Sequence, residues 1–183
     1  AIVKYPFPSV LAGKKSKFGF FTSEENSYLK IAEELGIKRL SKEGDPPQYA
    51  RHPLVYLVEA ADDICYQMMD IEDAFKLKLL TFDEAKDLYQ GFFDEGKKKR
   101  ADEVCHLVTD KNEQIAYLRA TVIGILIQEC TRVFIENEAE ILEGTFGNAL
   151  IKCIHPALKE AYQRCSKTAP DKIYRSRDVL DIE

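Results

Sequence analysis

The 183-residue sequence contains no long apolar run, no low-complexity tract and no signal-peptide pattern. A membrane-spanning helix needs about 20 consecutive apolar residues, so we expect a protein that stays out of the membrane and lies in the cytoplasm. The five cysteines show no CxxC or Cys/His spacing, and we interpret them as buried thiols. The three histidines lie far apart and form no HxxxH or His-Asp pair, which favours roles as caps and core residues over metal ligation.

Several enzyme motifs are also missing. The chain has no P-loop, no GxGxxG and no GxSxG, so neither a glycine-rich phosphate cradle nor α/β-hydrolase chemistry is supported. The formal net charge of −5 argues against general affinity for nucleic acid, although it permits one local basic pocket for a phosphorylated ligand.

Apolar residues recur at helical and not at alternating spacing, which predicts an all-α fold. The length fits a single unit covering residues 1–183. Residues 112–142 carry apolar side chains around much of a helix and predict a long buried central helix. Thr81 and Glu84 form a capping box for another helix, and the later segment FFDEGKKKR predicts a turn with a solvated charge run.

The most informative stretch begins at Arg51 and ends at Phe75, and His52 as a cap with Pro53 predicts the start of its helix. Helical spacing separates the stretch into two arcs. The apolar arc, predicted to be core, comprises Leu54, Leu57, Val58, Ala60, Ala61, Ile64, Cys65, Met68, Met69 and Ile71. The polar arc comprises Glu59, Asp62, Asp63, Tyr66, Gln67, Asp70 and Asp73.

Between His52 and Lys76 there are six carboxylates and no Lys or Arg. Like charges at helical spacing repel one another, so cationic groups from elsewhere in the protein are expected to face them. Carboxylate oxygens suit hard divalent ions, and lysines near the N-terminus suit a polyphosphate. A solvated acidic helix face beside a solvated loop explains the same spacing, and the residue pattern alone leaves both interpretations open.

The segment HPLVYLVEAADDICYQMMDIEDAF closely resembles the signature helix of the dGTP triphosphohydrolase branch of the HD-domain phosphohydrolases. The resemblance continues in VKYPFPS and KKSKFGFFTSE upstream and in ENEAEILEGTF and KIYRSRDVLDIE downstream, so it covers essentially the whole chain. It implies an HD-domain-like helical bundle, a divalent ion (Mg, Mn or Fe) and a homo-oligomer. The implied reaction is hydrolysis of dGTP at the α-phosphorus, which yields deoxyguanosine and tripolyphosphate.

The resemblance also implies roles for residues of the signature helix. Asp62 matches the family's last metal-ligating Asp, and Asp63 is expected to support it without binding the metal. Tyr66 matches the tyrosine that stacks on deoxyribose, and Asp70 matches the aspartate that accepts a hydrogen bond from the 3′-hydroxyl.

Outside this helix, Lys4 and Lys17 resemble the family's triphosphate-contacting lysines, and Arg175 or Arg177 resembles a further positive group. The family's first metal-binding His and its His-Asp pair are absent from the chain. They are expected upstream of Ala1, together with the catalytic residues, so the chain resembles the C-terminal portion of such an enzyme and is expected to be inactive alone.

Two other classes of protein remain open. An all-α nucleotide pyrophosphatase would place Glu59, Asp62, Asp63 and Asp73 around magnesium and would need residues 136–143, ENEAEILE, as a second acidic helix. A non-catalytic helical module for regulation or oligomerisation would need no metal.

Overall fold

A computed structural model describes residues 3–15 and 17–169 of the chain. These residues form seven α-helices joined by loops and short 3-10 turns, and among them only two isolated bridges, Pro8 to Phe20 and Arg39 to Tyr49, have β pairing. The helices are α1 (Glu25–Glu34), α2 (Pro53–Lys76), α3 (Phe82–Gln90), α4 (Glu95–Leu107), α5 (Lys111–Glu136), α6 (Glu138–Glu143) and α7 (Pro156–Ala169). The predicted all-α class is confirmed, and it is consistent with an HD-like helical bundle. None of the helices described here has the length and apolarity that crossing a bilayer would require.

Internal contacts divide the chain into two compact units, and both α2 and α5 contribute residues to each. Unit 1 comprises residues 1–60 and 132–150, and unit 2 comprises residues 61–131 and 151–183.

The core of unit 1 is largely aromatic. Phe20, Tyr28 and Tyr49 are buried with Ala32, and the rings of Phe20 and Tyr28 stack with centroids 4.3 Å apart. The unit also contains α6, which ends at Gly144 with φ 74°. A Cβ there would lie 2.5 Å from the Cβ of Ala50, so the left-handed backbone and the close approach both require glycine.

The core of unit 2 is built on aliphatic side chains of α2 and α5, and two tyrosines tie further helices to α2. The hydroxyl of Tyr89 on α3 donates to the carbonyl of Met68 at 2.7 Å, and that of Tyr162 on α7 donates to the carbonyl of Asp63 at 2.9 Å. These bonds satisfy hydroxyls that burial would otherwise leave unpaired. The buried aliphatic side chains are Ile64, Met68, Ile71, Ile115, Leu118, Val122 and Leu126.

The predicted helix starts at His52 and Thr81 are confirmed. Nδ1 of His52 accepts a hydrogen bond from the N–H of Leu54 at 3.2 Å. The N–H of Thr81 donates to the Glu84 carboxylate at 2.8 Å, and the N–H of Glu84 donates to the Thr81 hydroxyl oxygen at 3.3 Å. The turn predicted over FFDEGKKKR is wrong beyond its first residues. Oδ1 of Asp94 accepts the N–H of Lys97 at 2.7 Å and caps α4, so the basic run is helical.

The long central helix is present as α5 but ends six residues before the predicted limit of 142, at Glu136. Asn137 leaves the helical conformation (φ −110°, ψ 18°), and its side-chain amide donates to the carbonyl of Val133 at 2.7 Å. Such side-chain bonds compete with the helical ladder, and this one accompanies the interruption. One side of α5 is also exposed, at Ile127 and Ile135, so the helix is not buried all round.

The apolar arc predicted for α2 is correct only in part. Its members Ala60, Ile64, Met68 and Ile71 are buried as predicted. Its other members are exposed, and a helical wheel cannot reveal this because it does not show from which side neighbouring helices pack. The exposed members are Leu54, Leu57, Val58, Ala61, Cys65 and Met69.

The prediction of buried thiols is confirmed for Cys130 and Cys165 and is wrong for Cys65, which is exposed. Cys105 and Cys153 are partly exposed. Burial raises the pKa of Cys130 to about 11 and that of Cys165 to about 12, so both are protonated at neutral pH.

Candidate functional site

Asp62, Tyr66 and Asp70 follow one another along α2 at intervals of four residues. Each interval rises about 6 Å along the helix axis, so the row presents carboxylate, phenol and carboxylate over about 12 Å. Asp62 is exposed, Tyr66 is 68% exposed and Asp70 is half-buried. The row can therefore contact a ligand that lies along the helix.

Asp62 and Asp63 have different surroundings. The carboxylate of Asp62 makes no hydrogen bond or ion pair within the described part of the chain. Asp63 is half-buried, and its charge adds to burial in raising the pKa of both Cys130 and Tyr162. Asp62 is thus the more accessible carboxylate, whereas Asp63 acts on groups of α5 and α7.

The donor chemistry of Asp62 suits a divalent ion. The carboxylate of Asp62 can supply one or two oxygen ligands of the kind that hard ions prefer. Within residues 3–15 and 17–169 there is no group of three or more His, Cys, Asp or Glu side chains that could hold an ion. Asp62 therefore fits the role of one ligand among several, and the described residues do not supply the others.

Cationic groups pair with two of the carboxylates of α2, and for these two the expectation is met. In unit 1, Glu59 pairs with Lys4 at 2.8 Å and with Arg51 at 2.5 Å. In unit 2, the buried Glu72 pairs with Lys76 and with Arg119 of α5. Burying an unpaired carboxylate is costly, so these pairs explain how α2 tolerates its charge.

The segments that carry Lys4 and Lys17 pair with each other in unit 1. Gly19 donates its N–H to the carbonyl of Phe7 at 3.0 Å, and a Cβ on Gly19 would come within 2.1 Å of the carbonyl oxygen of Tyr5. Nζ of Lys17 lies 5.9 Å from the centroid of the Tyr5 ring. The close approach at glycine thus brings Lys17 next to the residue that follows Lys4.

Arg51 is a residue that the sequence reasoning did not assign. Besides pairing with Glu59, its guanidinium carbon lies 4.4 Å from the centroid of the Tyr56 ring. The only sign in the sequence that Arg51 could contribute to the site was its position directly before the cap of α2. Arg175 and Arg177 lie outside the described residues.

No protein-family model matches the chain. The chain is 32% identical over 179 residues to the deoxyguanosinetriphosphate triphosphohydrolase-like protein of Pseudomonas aeruginosa (strain LESB58). The matched region covers 96% of this chain and 39% of the relative. The protein of that name from Synechocystis sp. is 33% identical over 146 residues, 79% of this chain and 31% of the relative. The deoxyguanosinetriphosphate triphosphohydrolase of Yersinia enterocolitica is 28% identical over 198 residues, 100% of this chain and 38% of the relative.

The chain, which carries an acidic row on α2, thus has curated homologues that are named as triphosphohydrolases or as similar to them. The resemblance to dGTP triphosphohydrolases is confirmed by curated homologues with that name or the name followed by "-like protein". The chain spans 31–39% of the length of these three relatives.

Proposed function

We propose that the chain is the substrate-binding part of a deoxynucleoside triphosphate triphosphohydrolase, with dGTP as its substrate. The observation that carries the proposal is the exposed row of Asp62, Tyr66 and Asp70 on α2, in a chain whose homologues bear this name. In this reaction water attacks the α-phosphorus, the bond between that phosphorus and O5′ of the deoxyribose breaks, and deoxyguanosine and tripolyphosphate are released.

In this proposal Asp62 binds a divalent ion. Asp63 helps to hold Asp62 in place and does not bind the ion. When bound, the ion would act as a Lewis acid on a phosphoryl oxygen. Lys4 and Lys17 contact the triphosphate, whose charge they partly neutralise. Because the curated relatives are longer than this chain, we place the remaining metal ligands and the catalytic groups in residues outside it.

Activity measurements test this function directly. We expect the complete gene product to release tripolyphosphate from dGTP, and the 183-residue chain alone to release none. A single carboxylate cannot hold a divalent ion against water when the other ligands are missing. Anion chromatography distinguishes the products: pyrophosphate in place of tripolyphosphate would contradict the proposal and indicate a pyrophosphatase. Release of tripolyphosphate by the chain alone would show that the chain contains the whole site.

The pyrophosphatase alternative is less well supported by the geometry. It needs Glu59 as a magnesium ligand, but this carboxylate already pairs with two cations. Its second acidic helix would come from residues 136–143, where Glu136 pairs with Arg132 and Glu143 with Lys38. A non-catalytic module remains the outcome if the complete gene product hydrolyses no nucleotide.

Tyr66 is expected to select the sugar. A phenol ring packed against C2′ of deoxyribose leaves no partner for a 2′-hydroxyl, so a ribonucleotide must bury an unpaired polar group or displace the ring. In the complete gene product, Tyr66→Ala should narrow the kcat/KM ratio of dGTP over GTP by about tenfold.

Two further variants control this measurement. Tyr66→Phe keeps the ring and should keep the ratio, whereas Asp70→Asn should lower turnover of both nucleotides without a comparable narrowing. Because Tyr66 is largely exposed, its replacement should cost little stability. An unchanged dGTP-to-GTP ratio in Tyr66→Ala would rule out the role in sugar selection.

A further inference from the structure

We propose that Glu59 is a positioning residue that holds Lys4 and Arg51 together as a preformed binding element for the phosphate chain of the substrate. The inference rests on the proposed function, because it takes the ligand of Lys4 to be a triphosphate. It adds a role for Glu59 and names Arg51 as a second cation of the phosphate site.

The geometry of the three groups is compact. One carboxylate oxygen of Glu59 lies 2.8 Å from Nζ of Lys4, and the other lies 2.5 Å from a guanidinium nitrogen of Arg51. The side chain of Glu59 is only 12% exposed, whereas those of Lys4 and Arg51 are 47% and 21% exposed. The carboxylate is therefore at the base of the cluster, and the cations form its outer surface.

Other parts of unit 1 fix Arg51 and the backbone near Lys4. The guanidinium of Arg51 lies on the ring of Tyr56, which is buried and whose hydroxyl donates to the carbonyl of Phe146 at 2.8 Å. The backbone near Lys4 is anchored by the N–H of Tyr49, which donates to the carbonyl of Pro6 at 3.0 Å. A lysine side chain loses considerable rotamer freedom when ordered, and here much of that loss occurs before a ligand arrives.

The cluster keeps a positive charge at neutral pH. Burial acts to raise the pKa of Glu59, but the hydrogen bonds and charges of Lys4 and Arg51 outweigh it, so the pKa lies below the ordinary value. Glu59 is then ionised, and the two cations and one carboxylate together carry a charge of about +1. This sign suits a phosphate chain, and the arrangement of two cations suits adjacent phosphoryl groups.

A different role for Glu59 would be competition with phosphate for the two cations. The burial of Glu59 argues against it, because a phosphate that displaced the carboxylate would leave a nearly buried charge without a partner. Glu59 also lies three residues before Asp62 on α2, so the helix that presents the proposed metal ligand also holds the two cations.

The two roles predict opposite effects of Glu59→Gln in the complete gene product. This variant removes the negative charge and keeps the shape. If Glu59 positions the cations, KM for dGTP should rise about tenfold, with a smaller change in kcat, and Glu59→Asp should restore part of the loss. If Glu59 competes with phosphate, KM should fall, because the cluster becomes more positive. A lower or unchanged KM would overturn the inference.

Glu143→Gln is the matched control. Glu143 pairs with Lys38 at 2.5 Å in the same unit, so this variant makes the same change in net charge at another lysine–glutamate pair. It should leave KM unchanged, and thermal unfolding of all variants will separate positioning from loss of structure. A rise in KM equal to that of Glu59→Gln would contradict a specific role of Glu59.

A second measurement needs no catalysis. Titration calorimetry of the 183-residue chain with tripolyphosphate should detect binding that Glu59→Gln and Lys4→Ala each weaken and Glu143→Gln does not. Absence of binding to the unaltered chain, or equal binding by all variants, would overturn the inference even if the complete gene product hydrolyses dGTP. Binding with the expected pattern in a protein that has no dGTPase activity would instead contradict only the proposed function.

Discussion

Replacement of Asp62 by alanine in the complete gene product is expected to abolish metal binding and dGTP hydrolysis together while the fold survives. Asp62 is exposed, so the substitution makes no cavity, and it removes one negative charge from an acidic helix. The free energy of unfolding should therefore stay within about 0.5 kcal/mol of the original value. Elemental analysis, activity and thermal unfolding measure the three quantities.

Asp73→Ala is the control for this result. Asp73 is an exposed carboxylate on the same helix, so its loss changes the net charge equally, but the proposal gives it no ligand role. We expect normal metal content and activity. Loss of metal in Asp73→Ala would favour the pyrophosphatase arrangement, in which Asp73 is a ligand. Normal metal occupancy in Asp62→Ala would mean that Asp62 is not the ligand, and Asp63 would be tested next.

Leu126→Ala is expected to destabilise the chain by about 2–5 kcal/mol, the range for a large aliphatic side chain removed from a core. Leu126 is fully buried at 0% exposure in unit 2. The variant loses the transfer free energy of the removed atoms and also leaves a cavity, because packed neighbours relax only partly. Urea unfolding of the 183-residue chain, followed by circular dichroism, measures the difference.

The next residue along α5 provides the matched control. Ile127 is 52% exposed, and Ile127→Ala should cost about 1 kcal/mol or less. Both positions read as apolar residues of one helix in the sequence, so the comparison separates helix propensity from burial. Equal losses of stability in the two variants would contradict the finding that Ile127 lies on an exposed side of α5.

Features that depend on a few neighbouring residues were predictable from the sequence. The helix starts at His52 and Thr81 are examples, because each cap joins atoms two or three residues apart. The row of Asp62, Tyr66 and Asp70 is another, since a regular helix places every fourth residue on the same side. The relation to dGTP triphosphohydrolases was also recognisable, through the residues of this same helix.

The interruption at Asn137 and the helix over the basic run after Asp94 show where local reasoning fails. In both places a short polar side chain bonds to a nearby backbone group: Asn137 bonds to the carbonyl of Val133, and Asp94 bonds to the N–H of Lys97. The two bonds have opposite structural results. At Asn137 the bond accompanies the end of a helix, and at Asp94 it caps the start of one. The residue type permits either outcome, and surrounding packing decides between them.

The sequence by itself determined the all-α class, which carboxylates share a side of α2 and which family the chain resembles. Only the tertiary structure decided that six of the ten residues of the apolar arc of α2 are exposed, that Lys4 and Arg51 meet at Glu59, and that the buried Glu72 pairs with Arg119. The physical reason is range. Helix geometry and capping act within about four residues, whereas burial and ion pairing join groups far apart in sequence, whose distances depend on how every element packs.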